Sequence, residues 1–173
     1  MDKNKTRLIA QVGVAVALAT VLQYVKIMQL PQGGSVSLQS VPIIVMALLY
    51  GPKVGMLVGG IFGLVEVLLD SYVIHPIQFL LDYPVPFMVL GLAGLWANKK
   101  VLSIGFAYCL RYLAHILSGV VFFGEYAPAG TNVWLYSIMY NGSYLIPEAV
   151  LTAIVSIWLW RQLQKRGFSE LAQ

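Results

Sequence analysis

The sequence predicts an all-α integral membrane protein: six transmembrane helices, both termini in the cytoplasm, and a single domain over residues 1–173. Three observations predict it. Hydrophobic residues make up 59% of the chain and charged residues only 10%, against roughly 25% charged in a typical soluble protein, and mean hydropathy is +0.79. The apolar residues fall into six segments. Threading six spans puts Lys3, Lys5, Arg7, Lys53, Lys99, Lys100, Arg161, Lys165 and Arg166 on one side, nine of the eleven bases, leaving only Lys26 and Arg111. The positive-inside rule makes that side cytoplasmic.

The first segment, 8–25, follows the basic head "MDKNKTR". A signal peptide has such a head, but this apolar body is about as long as a full span of roughly 20 residues, and further spans follow. Its Ala15 and Ala19 stand four apart, a small-residue face suited to internal packing or to a partner protein. The second segment, 41–50, is short for a span, and Pro42 falls in its first turn, where a missing N–H costs nothing. The third, 54–69, follows the breaker "YGPK" and carries Gly55, Gly59 and Gly63 at four-residue intervals, a face for close internal packing. The fourth, 77–97, contains Pro84 and Pro86, each of which removes a ladder bond, so a kink is predicted. The fifth is 102–122 and the sixth 138–163. Between them, residues 26–40, 71–76 and 123–136 form outer loops that are longer or richer in aromatic and polar residues than the basic inner ones. Long loops in a compact chain are more often functional than neutral.

Several classes of function are excluded. The single cysteine, Cys109, rules out an internal disulfide or a Cys-rich metal site, and its apolar surroundings read as those of a buried, inert thiol. No basic run interleaved with aromatics points to nucleic acid, and no GxxxxGK[ST] loop supplies an ATPase site. No HExxH motif or nucleophile elbow is present, so neither a metal nor an enzyme is expected. Energy for uphill movement of a solute would then come from another subunit or an ion gradient.

Ionisable groups inside spans are costly and therefore informative. Here they are Glu66, Asp82, Arg111, His115 and Glu148. Arg111, His115 and Gly119 recur every four residues and share one face, which Phe123 extends outward. Gly119 leaves room for another helix or a ligand. A buried arginine needs an anion or other acceptors, and Asp82, beside Tyr83, is a candidate partner, either as a neutralising pair or within one polar pocket. Ser137, Asn141, Tyr144 and Glu148 make a face on the sixth segment. Asn141 offers a donor and an acceptor, which suits an aromatic heterocycle or interhelical bonding. Glu148 reads as a helix contact, and Glu66 as a helix or gating contact.

Three stretches, "PQGGS" at 31–35, "HPIQFLLDY" at 75–83 and "RYLAHILSGVVFFGEYAPAGTNVWLYSIMYNGSYLIP" at 111–147, together resemble the thiamine-specific substrate-binding (S) component of energy-coupling factor (ECF) transporters. The resemblance implies a thiamine-binding subunit without enzymatic activity or cofactor. It would sit in a bacterial plasma membrane and work with a transmembrane coupling subunit and two ATPases. The family's acidic ligand residue falls on Asp82, next to Tyr83; its histidine falls on His115, a basic residue on Arg111 and close packing against ligand on Gly119. Further pocket positions fall on Tyr72, Tyr136 and Asn141, an outer aromatic on Phe123, and the coupling-subunit contact on Ala15 and Ala19. The first loop would close as a lid, with Gly33 and Gly34 giving it backbone freedom. Some members carry Glu at the Asp82 position and Trp at Phe123. The alternatives are an S component for another vitamin and a stand-alone ion-coupled carrier of small organic cations, with Asp82 or Glu66 as proton site.

Overall fold

Apolar segments that must satisfy their own backbone hydrogen bonds form helices in lipid, and helices dominate the structure, a computed structural model that describes residues 3–69, 72–96 and 98–168. They are α1 (Lys3–Leu22), α2 (Ser40–Tyr50), α3 (Pro52–Leu69), α4 (Pro76–Asp82), α5 (Pro84–Leu90), α6 (Lys100–Phe122) and α7 (Val133–Lys165), with short 3-10 turns at Gly91–Gly94 and Gly124–Tyr126. Ser71, at the start of the second outer loop, and Ala97, at the predicted end of the fourth segment, lie outside the described residues. Five stretches are long and apolar enough to cross a bilayer: α1, α3, the run Pro76–Gly94, α6 and α7. The protein is therefore a multi-pass membrane protein. The 11-residue α2 is about 16 Å long at 1.5 Å per residue. Nine of its residues, including Pro42 in the first turn, are buried, so it forms the apolar centre of the bundle.

The structure departs from the sequence reading at several points. The first loop contains an antiparallel hairpin, β1 (Lys26–Gln29) with β2 (Ser35–Ser37), whose turn uses Gly33 at φ 92°. The fourth segment breaks into α4 and α5 at Tyr83 (φ −116°, ψ −84°), because the residue before a proline is pushed out of the helical region. Pro84 then starts α5, where its missing N–H is harmless. The last helix begins at Val133, five residues before 138, because the Asn132 side chain caps it, accepting from the backbone N–H of Trp134 (2.9 Å) and Leu135 (3.3 Å).

Two surface expectations are corrected. Ala15 and Ala19 are 5% and 0% exposed and lie in the core, where their small side chains let α1 pack on α2 and α3. Their side chains face the chain's own core, and the outward face of α1 carries Val14, Leu18 and Val21. Cys109, expected to be buried, is exposed on α6.

Candidate functional site

At the hairpin end of the bundle lies a cavity of about 530 Å³, within the range typical of small-molecule sites. Its walls are the end of α1, the hairpin, α3, α4, α6 and α7. All nine pocket residues expected from the sequence line it: Tyr72, Asp82, Tyr83, Arg111, His115, Gly119, Phe123, Tyr136 and Asn141.

Asp82, at the last position of α4, is held rigidly. Its Oδ2 accepts from Gln78 Nε2, one turn earlier, at 2.6 Å and from the Ser118 hydroxyl on α6 at 2.8 Å. Its Oδ1 is 3.4 Å from His115 Nδ1. The Nε2 atom of His115 is buried without a hydrogen-bond partner. One carboxylate thus joins α4 to α6 and fixes the imidazole at the cavity wall.

Of the two readings for Arg111 and Asp82, the neutralising pair does not form, and both residues line the one cavity. Arg111 Nη1 lies 3.0 Å from Glu148 Oε1 and donates to the Ser40 hydroxyl at 2.8 Å. Glu148 Oε1 also accepts from Ser40 Oγ at 2.6 Å and from Tyr108 Oη at 3.2 Å. Sequence spacing showed that Arg111 needed an anion but not which of two acids would meet it. The fold brings α7 and the first residue of α2 to Arg111, while α4 and α6 satisfy Asp82. Glu148 is therefore a helix contact, as expected, and a fully buried one.

Gly119 makes room for a helix. A Cβ there would fall on Ser137 Oγ of α7. Asn141 is also engaged within the protein: its Nδ2 donates to the Ser137 carbonyl at 2.9 Å, and its Oδ1 accepts from Tyr144 Oη at 2.7 Å. Aromatic rings line the rest. Tyr136 and Tyr140 stack at 6.0 Å, Tyr140 meets Tyr144 edge-on at 5.9 Å, and Tyr72 and Phe123 lie 6.2 Å apart. The Tyr72 N–H donates to the Tyr83 hydroxyl at 2.7 Å, tying the loop before α4 to the helix break. Hydrogen bonding to Tyr72 raises the Tyr126 phenol above its ordinary pKa at this rim.

Sequence reasoning missed Gln23, Gln39 and Tyr140, which also line the cavity. Tyr136, Tyr140 and Tyr144 repeat every four residues, a signal that was legible. Gln23, only 6% exposed and with an unpartnered amide nitrogen, carried none beyond being polar at the end of an apolar run.

The hairpin is seated on α7 through Gly34, whose N–H donates to Tyr140 Oη at 3.1 Å. A Cβ on Gly34 would lie 2.6 Å from Tyr144 Cδ1, so this glycine serves close approach rather than backbone freedom. Gly34→Val should lift the hairpin off Tyr144. We expect ligand to dissociate at least about tenfold faster, the effect of roughly 1.4 kcal/mol, with the thermal midpoint little changed. Stopped-flow fluorescence checks this, and an unchanged off-rate would refute the seating role.

The sequence matches the family described as thiamine transporter protein (Thia_YuaJ) over residues 9–167. It is 38% identical to the thiamine transporter ThiT of Bacillus subtilis, covering 89% of this chain and 90% of that protein. It is 34% identical to ThiT of Lacticaseibacillus paracasei, covering 66% and 67% respectively. In fold it is similar to the solved structure of ThiT from Listeria monocytogenes, with a TM-score of 0.83 and 22% identity over 93% of this chain and 97% of that one. The family match and the Bacillus relative together show that the chain belongs to the thiamine transporter protein family, a family of transporters rather than enzymes.

Proposed function

We propose that the protein is the thiamine-binding S component of an ECF-type importer in a bacterial plasma membrane. It captures thiamine from the outer side and depends on a transmembrane coupling subunit and two ATPases for transport. Six crossings, with α2 as the second, keep both termini and nine of eleven bases in the cytoplasm and the cavity at the outer face.

The observation that carries this reading is the meeting of a fixed carboxylate with aromatic faces in one cavity of a thiamine transporter family member. Thiamine joins a cationic thiazolium to a flat aminopyrimidine. Asp82 accepts the amino group or balances the cation, and His115 and Asn141 read the pyrimidine edge. The rings of Tyr72, Tyr83, Phe123 and Tyr136 cover the heterocycles and attract the cation. Gly119 keeps α7 close enough for Asn141 to reach the ligand, and Arg111 closes the wall behind them. The hairpin covers the opening.

Isothermal titration of detergent-purified protein should show one thiamine site per chain without ATP, and riboflavin, biotin and pyridoxine should not compete. Absence of thiamine binding to folded protein would sink the proposal. Competition by another vitamin would favour a different S component, and proton-driven uptake in liposomes without partners would favour a stand-alone carrier.

A further inference from the structure

The cavity wall contains a full positive charge whose neutraliser stands outside the cavity. Arg111 lines the cavity and is 3% exposed, its guanidinium carbon 4.6 Å from the centre of the Phe87 ring. Its Nε meets no acceptor. The acid that balances it, Glu148, is 0% exposed and does not line the cavity. Asp82, by contrast, lines the cavity and is held by its own partners, Gln78, Ser118 and His115. Glu66 lines it as well. Lys26 lines it too, as an exposed residue of β1. The sign of the field that a ligand meets therefore depends on a side chain the ligand never touches. With Glu148 ionised, Arg111 cancels, and the two wall carboxylates outnumber the one remaining cation, Lys26. Without it, a buried cation faces the ligand.

We propose that Glu148 sets the charge selectivity of the cavity, neutralising Arg111 from behind so that a cationic ligand is favoured over anionic forms of the same molecule. This rests on the reading of the cavity as a thiamine site and adds a selectivity residue to it. Thiamine is a cation, and its phosphate ester adds about −1.5 to −2 charges at neutral pH. A unit charge about 10 Å away, at an effective dielectric of about 20, changes the affinity of a singly charged ligand by roughly tenfold, in opposite directions for the two signs.

The test is calorimetric titration of thiamine and thiamine monophosphate into wild type, Glu148→Gln and the double variant Arg111→Met/Glu148→Met. The readout is the ratio of the two dissociation constants, monophosphate over thiamine. In Glu148→Gln this ratio should fall at least about tenfold, because Arg111 is left uncompensated. In the double variant it should return to within about threefold of wild type, because both charges are gone; apolar replacement of a buried pair usually preserves folding. An unchanged ratio in Glu148→Gln would overturn the proposal. So would a double variant that keeps the lowered ratio, since that would mark a purely structural role. If Glu148→Gln does not fold, Arg111→Met decides with the double variant: Glu148 left uncompensated should raise the ratio at least about tenfold, and the double variant should bring it back; an unchanged ratio in Arg111→Met overturns the proposal. If wild type binds neither ligand, the thiamine reading fails, an outcome distinct from either of these.

Discussion

Asp82→Ala should weaken thiamine binding by about 2–3 kcal/mol, the upper range for a lost hydrogen bond to a charged group. The carboxylate is held from both sides in the cavity, with donors at 2.6 and 2.8 Å on one oxygen and an imidazole at 3.4 Å from the other. Its removal takes away the proposed acceptor for the amino group and leaves the Gln78 amide and the Ser118 hydroxyl without their shared partner. Asp82→Asn keeps an acceptor oxygen but not the charge and should lie between alanine and wild type, separating geometry from electrostatics. Asp82→Glu adds a methylene and pushes the carboxylate toward the ligand. Calorimetry on protein that elutes as a folded single species checks the series. Wild-type affinity in Asp82→Ala would remove Asp82 from the binding site.

Gly59→Val should destabilise the protein by upwards of about 3 kcal/mol, because overpacking against backbone cannot relax as overpacking against a side chain does. A Cβ at Gly59 would lie 2.6 Å from the Phe87 carbonyl carbon and 3.1 Å from the Met88 nitrogen. α3 and α5 would have to separate, and with α5 would move Phe87, which lies under Arg111. Gly60, the next residue, is the control. Its Cβ would meet only the flexible Met88 side chain, at 3.0 Å to Cγ, so Gly60→Ala should leave the thermal midpoint nearly unchanged. Thermal melts in detergent compare the two. Equal stability of Gly59→Val and wild type would contradict the packing account.

These two residues also show how much was legible in sequence. The four-residue repeat of Gly55, Gly59 and Gly63 announced close packing, yet nothing in it named the partner. The structure puts Ala47 of α2 against Gly55, Phe87 of α5 against Gly59 and the Tyr83–Pro84 break against Gly63. Ala15 and Ala19 carried the same kind of signal, and there the direction was misread. A small-residue face looks alike whether it meets the chain's own core or another protein, and only the bundle shows which side of α1 is inward. The first loop was legible as long and polar but not as a hairpin, because its strands have four and three residues, too short for alternation to stand out.

What the sequence by itself determined is the set of groups that lipid will not tolerate alone. Composition specified a membrane protein, the breakers and bases marked its segments, and helical periodicity gathered Arg111, His115 and Gly119 on one face and Ser137, Asn141 and Tyr144 on another. Only the tertiary structure decided the pairing of the charges. Periodicity orients side chains around one helix axis, whereas a salt bridge depends on the rotation and depth of two. In this bundle the middle of α7 and the start of α2 bring Glu148 and Ser40 to Arg111, while α4 gives Asp82 to Gln78, Ser118 and His115. That division leaves the buried arginine neutralised from behind and the aspartate in the wall of the cavity.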